Sequence, residues 1–407
     1  MVKVIGLNSG SSFDGIDVVL VDIENGPDGY PARPKFITGK SYDWPDAVGQ
    51  IVLKSFENKI SIFELNRLNY LAGAVYAQSA RDFMKEHGLK PGDVEVIGYD
   101  GQTIYQEPPV HHLLRNYDDS TDIVSRWLDG PYACGLQIGE PAIVAEACET
   151  PVVTQYRTMD HALAGTGAPL MQYLDYVAFR DIGPILTLNI GGIANCQLAH
   201  ADRSKMMAFD TGPGNVMIDH IMRVKYGKPY DKNGEMARTG KVDEKLMAKF
   251  RNHDYFKRPI PRSAWRLDFG STYADQFIEE FKHLPPQDLL ATATEFAAYS
   301  IVRSITDNVK SIGEINTIMA SGGGTRNAYL MERLAAHMPK GLRLTLSDKF
   351  GVPAAFKEAM GLYSELSAKN PAWKKIYEDY AAFRRDSNLW FRFTEAGFDD
   401  FMQSQKL

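Results

Sequence analysis

From Val4 to Ile23, in VIGLNSGSSFDGIDVVLVDI, two apolar runs flank a loop built almost wholly of Asn, Ser, Gly and Asp. That pattern predicts two strands of a hairpin. The joint reads either as an ordinary hairpin loop or as a phosphate clasp, in which the N–H groups and hydroxyls of Ser9, Gly10, Ser11 and Ser12 surround phosphate oxygens and Asp14 holds a divalent cation. The pattern then recurs. ILTLNIGGIANCQLAHA, from Ile185, again sets two apolar runs about a turn at Asn189, Gly191 and Gly192, and Ala208 to Asn215 with the helix-like VMIDHIM follows. Two such hairpins, each opening half of the chain, predict two lobes of like topology facing across a cleft, with phosphates gripped from both sides.

Between the hairpins the periodicity changes. From Asp46 to about Leu89 the apolar spacing is helical, clearest at Ile62, Leu65, Leu68, Leu71 and Val75. Val94 to Ile104 reads as a buried strand ending in Asp100, Gly101, Gln102 and Thr103, which is either a plain turn or side chains delivered to a crevice. Residues 107–134, with His111, His112, Asp118, Asp119, Trp127 and Tyr132, lose periodicity and read as an insertion, either a lid or a surface excursion, whose paired histidines are solvated. A helix opens after Gln137-Ile138-Gly139-Glu140-Pro141, and Thr150 to Tyr156 returns as a strand. Asp160 follows, then the turn Ala164-Gly165-Thr166-Gly167-Ala168-Pro169. A carboxylate there can take a proton from a nucleophile, or it can cap the next element or pair with Arg157. Further on, Ile315 to Ala320 predicts a strand and Asn327 to Ala336 a helix, joined through Gly322, Gly323 and Gly324.

Length and charge narrow the function. A chain of 407 residues with 44% hydrophobic residues predicts two domains, and a net charge of −6 without a basic stripe argues against nucleic acid. No apolar run has the length of a membrane span and no signal-like segment precedes the first loop, so a cytoplasmic location is expected. Cys134, Cys148 and Cys196 form no CxxC pair, which fits reduced thiols. Two short motifs are set aside. Gly39-Lys40-Ser41 matches the end of a P-loop, but Pro34 stands where its first glycine belongs, so the segment reads as a loop. Asp268-Phe269-Gly270 lacks the other protein-kinase motifs.

The ordered set NSGSSFDGID, DGQT, LQIGEPAIVAE, YRTMD, GTGAPL, LNIGGIAN, FDTGPGN, YDKNG, SGGGTRN and GVPAAFKEA resembles the anhydro-N-acetylmuramic acid kinase family, which includes levoglucosan kinase. The resemblance implies an α/β protein of the actin-like ATPase and sugar-kinase fold, with two ribonuclease H-like lobes about a nucleotide cleft. The first lobe is expected over residues 1–180, completed by helices in 357–407, and the second, nucleotide-binding lobe over 181–356. It implies ATP and Mg2+, a small sugar substrate whose 1,6-anhydro ring is opened and phosphorylated on O6, and a homodimer.

Carried over residue by residue, Asp160 matches the catalytic aspartate. Ser9, Gly10, Ser11, Ser12, Asp14, Gly15 and Asp17 resemble the first phosphate loop, and Gly191, Asp210, Thr211, Gly212, Gly214 and Asn215 the second. Gly322, Gly323, Gly324, Arg326 and Asn327 resemble the adenosine turn. The sugar side is expected at Asp100, Gln102, Thr103, Gln137, Arg157, Gly167, Ala168 and Arg266. Metal is expected at Asp14 and at Glu358, which also reads as a solvated helix-face glutamate.

Three departures fall on the sugar segments: Asp100 where the family usually has His, Gln155-Tyr156 where it has Asp-Phe, and Ala264-Trp265-Arg266-Leu267 where it has Thr-Gly-Arg-Glu. Three readings therefore stand: a kinase of 1,6-anhydro-N-acetylmuramic acid, a kinase of the same mechanism on another anhydro-sugar such as levoglucosan, and a catalytically idle nucleotide- or sugar-binding module.

Overall fold

Both predicted hairpins form, and each grows into a sheet of the same strand order. The computed structural model describes residues 2–361 except 11, 12, 14, 25, 27–30, 108, 110–121, 129–131, 163, 164 and 310–313, and the side chains of residues 126, 266 and 267. In the first sheet β1 (Val2–Asn8), β2 (Ile16–Ile23) and β3 (Lys35–Tyr42) are antiparallel neighbours, and β4 (Val96–Glu107) lies parallel to β1. Beyond it, β5 (Cys134–Ile138) pairs antiparallel and β6 (Val152–Val153) parallel to β4. The second sheet repeats this plan. There β7 (Ile185–Ile190), β8 (Ile193–Ala199) and β9 (Met207–Pro213) form the meander, and β10 (Thr317–Ser321) and β11 (Arg343–Leu346) extend it in parallel from β7. With β5 set apart as an extra strand on β4, the strand orders 3-2-1-4-6 and 9-8-7-10-11 correspond.

Alternation along β1 and β2 divides their side chains between two cores. Ile5, Leu7, Val18 and Leu20 pack beneath the helix Ile62–Glu86, while Val4, Val19 and Val21 turn the other way. That second core is shared by both lobes. It takes Leu174, Ala178 and Phe179 from the helix Gln172–Phe179, Ala359 and Met360 from the helix Lys357–Gly361, and Ile185, Ala199 and Met319 from the second sheet. The far side of the second sheet is covered by the helices Pro286–Asn308 and Ala328–His337. Among the described residues no helix is long and apolar enough to cross a membrane.

Three local expectations are corrected. Of the stripe Ile62, Leu65, Leu68, Leu71 and Val75, Leu68 is buried and Leu65 and Val75 are partly so, but Ile62 is 71% exposed and Leu71 38%, and the buried face runs on through Ala72, Tyr76, Ala80 and Phe83. Gly39, Lys40 and Ser41 lie in the edge strand β3 instead of a loop, with Lys40 paired to Glu86 at 2.7 Å, and an edge strand needs only one modestly apolar face. The strand expected up to Tyr156 is only two residues long, and Tyr156–Ala162 is a helix. Asp268 caps the amide of Trp265 and pairs with Arg258, a structural use of that motif. The tail 362–407 and most of the segment 107–134, including His111 and His112, lie outside the described residues.

Candidate active site

A cleft of about 800 Å³, counting its open mouth, takes its walls from both lobes. Asn8, Gly10, Thr103, Gln106, Arg157 and Ala168 line it from the first lobe, and Gly191, Gly192, Asn195, Asp210 and Trp265 from the second, together with Glu358. The two glycine turns thus open onto one space, as the duplicated hairpins predict.

Asp160 sits within the helix Tyr156–Ala162, not at a strand terminus, and is 3% exposed. The Gly165–Ala168 turn folds back over it: the N–H of Gly167 donates to Oδ2 of Asp160 at 2.7 Å. Gly167 has φ +67°, and a Cβ there would run into Nε2 of His161, so only glycine fits. Gln106 holds the same turn by donating to the carbonyl of Thr166 at 2.7 Å and lies 3.1 Å from Nε2 of His161. Burial lowers the His161 pKa, which favours the neutral ring. Arg157, one helical turn before Asp160, forms its ion pair with Asp100 (Nε to Oδ2, 2.8 Å) and donates through Nη1 to the carbonyl of Gly167 at 3.0 Å.

Four polar residues of β4 are buried, which is unusual for a central strand. Asp100, Gln102, Thr103 and Gln106 are each under 5% exposed. Thr103 and Gln106 reach the cleft; Gln137 lies beside Thr103 with Nε2 3.5 Å from its Oγ1. Gln102 turns to the first loop, where its Oε1 accepts from Ser9 Oγ at 2.8 Å while Trp44 Nε1 donates to the same hydroxyl at 3.3 Å. Ser9 therefore joins the loop to β4. Asp17 accepts from Ser41 Oγ on β3 and Gly15 packs near Tyr42, whereas Gly10 lines the cleft. Ser11, Ser12, Asp14 and the Arg266 side chain lie outside the described residues.

In the second lobe the turns interlock. The amides of Gly214 and Asn215 donate to the carbonyls of Gly192 and Gly191 at 2.9 Å, Thr211 Oγ1 bonds to the carbonyl of Ala194, and Gly212 packs against Ser300 and Phe256. Gly191 and Asp210 are the expected residues of this loop that face the cleft. Asp210 is 4% exposed, with Ala264 N–H donating to Oδ2 at 2.6 Å, and burial raises its pKa to about 7 against the opposing pull of that N–H, Arg157 and Arg262.

Gly322 and Gly324 press directly onto the end of β7, where a Cβ on either would run into Asn189 or Ile190. Asn327 caps the helix Ala328–His337 by accepting from Leu330 N–H at 3.0 Å, and Gly323 and Arg326 are exposed beside it. None of these five residues lines the cleft itself.

Glu358 is half-buried in the cleft, not on a solvated helix face, and its carboxylate accepts from Asn189 Nδ2 at 2.7 Å and from Asn8 Nδ2 at 3.4 Å. Asn8, Asn189, Gln106, Asn195 and His161 are site residues that the motif reading passed over. For the four on strands the signal was available, a polar side chain at the end of, or inside, an otherwise apolar strand; His161, on the helix Tyr156–Ala162, gave none.

The chain matches the sequence profile of the family described as anhydro-N-acetylmuramic acid kinase over residues 2–369. It is 32% identical over 365 residues to the anhydro-N-acetylmuramic acid kinase of Caldanaerobacter subterraneus subsp. tengcongensis, covering 88% of each chain. It is 34% identical over 335 residues to that of Francisella tularensis subsp. novicida, covering 81% of this chain and 83% of the relative. Among solved structures it is similar to component A of the (R)-2-hydroxyglutaryl-CoA dehydratase of Acidaminococcus fermentans, with a TM-score of 0.46, 11% identity, and coverage of 93% of this chain and 100% of that one.

Proposed function

The chain belongs to the anhydro-N-acetylmuramic acid kinase family, and from that premise we propose that it uses ATP to convert 1,6-anhydro-N-acetylmuramic acid to N-acetylmuramic acid 6-phosphate. The observation that carries this reading is the cleft that both glycine turns share, behind whose wall residues Arg157 and Ala168 the buried Asp160 carboxylate is held by Gly167 N–H. In the proposed reaction Asp160 takes a proton from water as the water oxygen bonds to C1 of the sugar. The C1–O6 bond breaks, and O6 keeps its electron pair. O6 then bonds to the γ-phosphorus, the bond from that phosphorus to the β-phosphate bridge breaks, and ADP leaves.

Magnesium bound with the triphosphate would neutralise phosphate charge. Glu358, the expected metal carboxylate among the described residues, lines the cleft and would hold such an ion while it keeps several waters. We place the enzyme in the cytoplasm, where ATP is, and expect the homodimer that the resemblance implies.

One observation favours a second reading, a neutral anhydro-sugar as substrate: Arg157, the cation lining the cleft among the described residues, already pairs with Asp100. The test for both is ADP release from Mg-ATP with 1,6-anhydro-N-acetylmuramic acid, levoglucosan and ordinary hexoses. Release with the first alone supports the leading reading, release with levoglucosan alone the second, and release with none overturns both.

A further inference from the structure

A chain of contacts leads from β4 to the Asp160 carboxylate. Asp100 is 3% exposed, its Oδ2 accepts from Arg157 Nε at 2.8 Å, and its Oδ1 has no hydrogen-bond partner among the described residues. Arg157 and Asp160 leave one helix three positions apart, on the same face. Between them they hold both backbone groups of Gly167: Arg157 Nη1 donates to its carbonyl at 3.0 Å, and its N–H donates to Asp160 Oδ2 at 2.7 Å. A guanidinium engaged on two edges is fixed in rotation, so the carboxylate that holds one edge determines where the other points.

We propose that Asp100 is a positioning residue of the reaction, setting the plane of the Asp160 carboxylate through Arg157 and Gly167. The proposal rests on Asp160 being the base. It explains why a carboxylate is enclosed in β4, where an apolar side chain would pack at lower cost. It also gives the turn between Gly165 and Ala168 a reason to be held from three sides, by Gln106, Arg157 and Asp160. A displacement of about 1 Å in a catalytic group costs on the order of a hundredfold in rate, so the effect belongs in kcat.

The experiment compares Asp100→Asn, Asp100→Glu, Arg157→Lys and the double variant Asp100→Asn/Arg157→Lys with the wild type. Mg-ATP and the accepted anhydro-sugar are supplied well below the unfolding transition, with rates expressed per folded molecule. Asp100→Asn should lower kcat about ten- to a hundredfold with the sugar KM nearly unchanged. Asp100→Glu should recover part of the rate, and the double variant should be no slower than its slower parent, since both changes break one chain of contacts. If Asp100→Asn does not fold, the Asp100→Glu and Arg157→Lys rates carry the same test. A sugar KM that rises with kcat intact would make Asp100 a sugar ligand and overturn the proposal. Additive losses, or a loss that tracks only the unfolded fraction, would overturn it as well. Full turnover by Asp160→Asn would instead remove the base assignment beneath it, whereas full turnover by Asp100→Asn with Asp160→Asn inactive removes this proposal alone.

Discussion

Asn8 and Asn189 stand at corresponding places in the two lobes, near the ends of β1 and β7, and their amides donate to opposite oxygens of the Glu358 carboxylate, at 3.4 and 2.7 Å. One carboxylate thereby joins the two glycine turns across the cleft. Replacing Glu358 by Ala removes charge-assisted bonds of about 1.5–3 kcal/mol each. The expected outcome is a KM for ATP raised about ten- to a hundredfold, read from initial rates at saturating sugar. An unchanged KM would show that this junction does not serve the nucleotide.

Asp160→Asn keeps the shape of the side chain and the bond from Gly167 N–H but removes the base. General-base catalysis contributes about 10²- to 10⁴-fold, so kcat should fall by that amount. Nucleotide affinity, measured by isothermal titration, should stay within about twofold.

Asp210 gives a pH signature. Its folded-state pKa, about 7, lies above the ordinary 3.8, so the folded chain holds a proton between those values that the unfolded chain has released. The stabilisation is complete below about pH 4 and is lost as pH rises to about 7, at no more than about 1.4 kcal/mol per pH unit. Asp210→Asn, which can still accept from Ala264 N–H, should therefore gain on the wild type in urea midpoint as pH rises through that window. A pH-independent difference would mean that the carboxyl is already ionised when folded.

Lys357 and Asp175 are 1% and 0% exposed and lie 2.8 Å apart in the core shared by the lobes, where Thr187 also donates to Asp175 at 2.6 Å. Lys357→Met leaves that carboxylate without its counter-charge and should cost about 3–5 kcal/mol. Adding Asp175→Asn should return part of the loss. Two-state urea melts of the single and double variants measure both, and a harmless Lys357→Met would show that Asp175 is held neutral.

The duplicated plan could be read from the chain because turns containing Asn and Gly between apolar runs are set by local backbone chemistry, and both hairpins carry them. The helix Ile62–Glu86 was legible as a helix but not in its facing. It buries Ala72, Ala77 and Ala80 between Leu68, Tyr76 and Phe83, and three of these six are alanines that rank below Ile62 and Leu71 in hydrophobicity, so the most apolar positions do not mark its face. The helix around Asp160 was not legible, since Tyr156-Arg157-Thr158-Met159-Asp160-His161 has no apolar stripe and is held by the turn that follows and by Gln106 from a distant strand. Likewise the partner of Arg157 lies 57 positions away. No spacing rule reaches that far.

Lys357 and Glu358 are consecutive residues of one short helix, the first embedded in the apolar seam beneath the two lobes and the second turned into the cleft. A single peptide unit therefore ties the packing beneath the two sheets to the carboxylate that both asparagines grip, with no intervening loop between them.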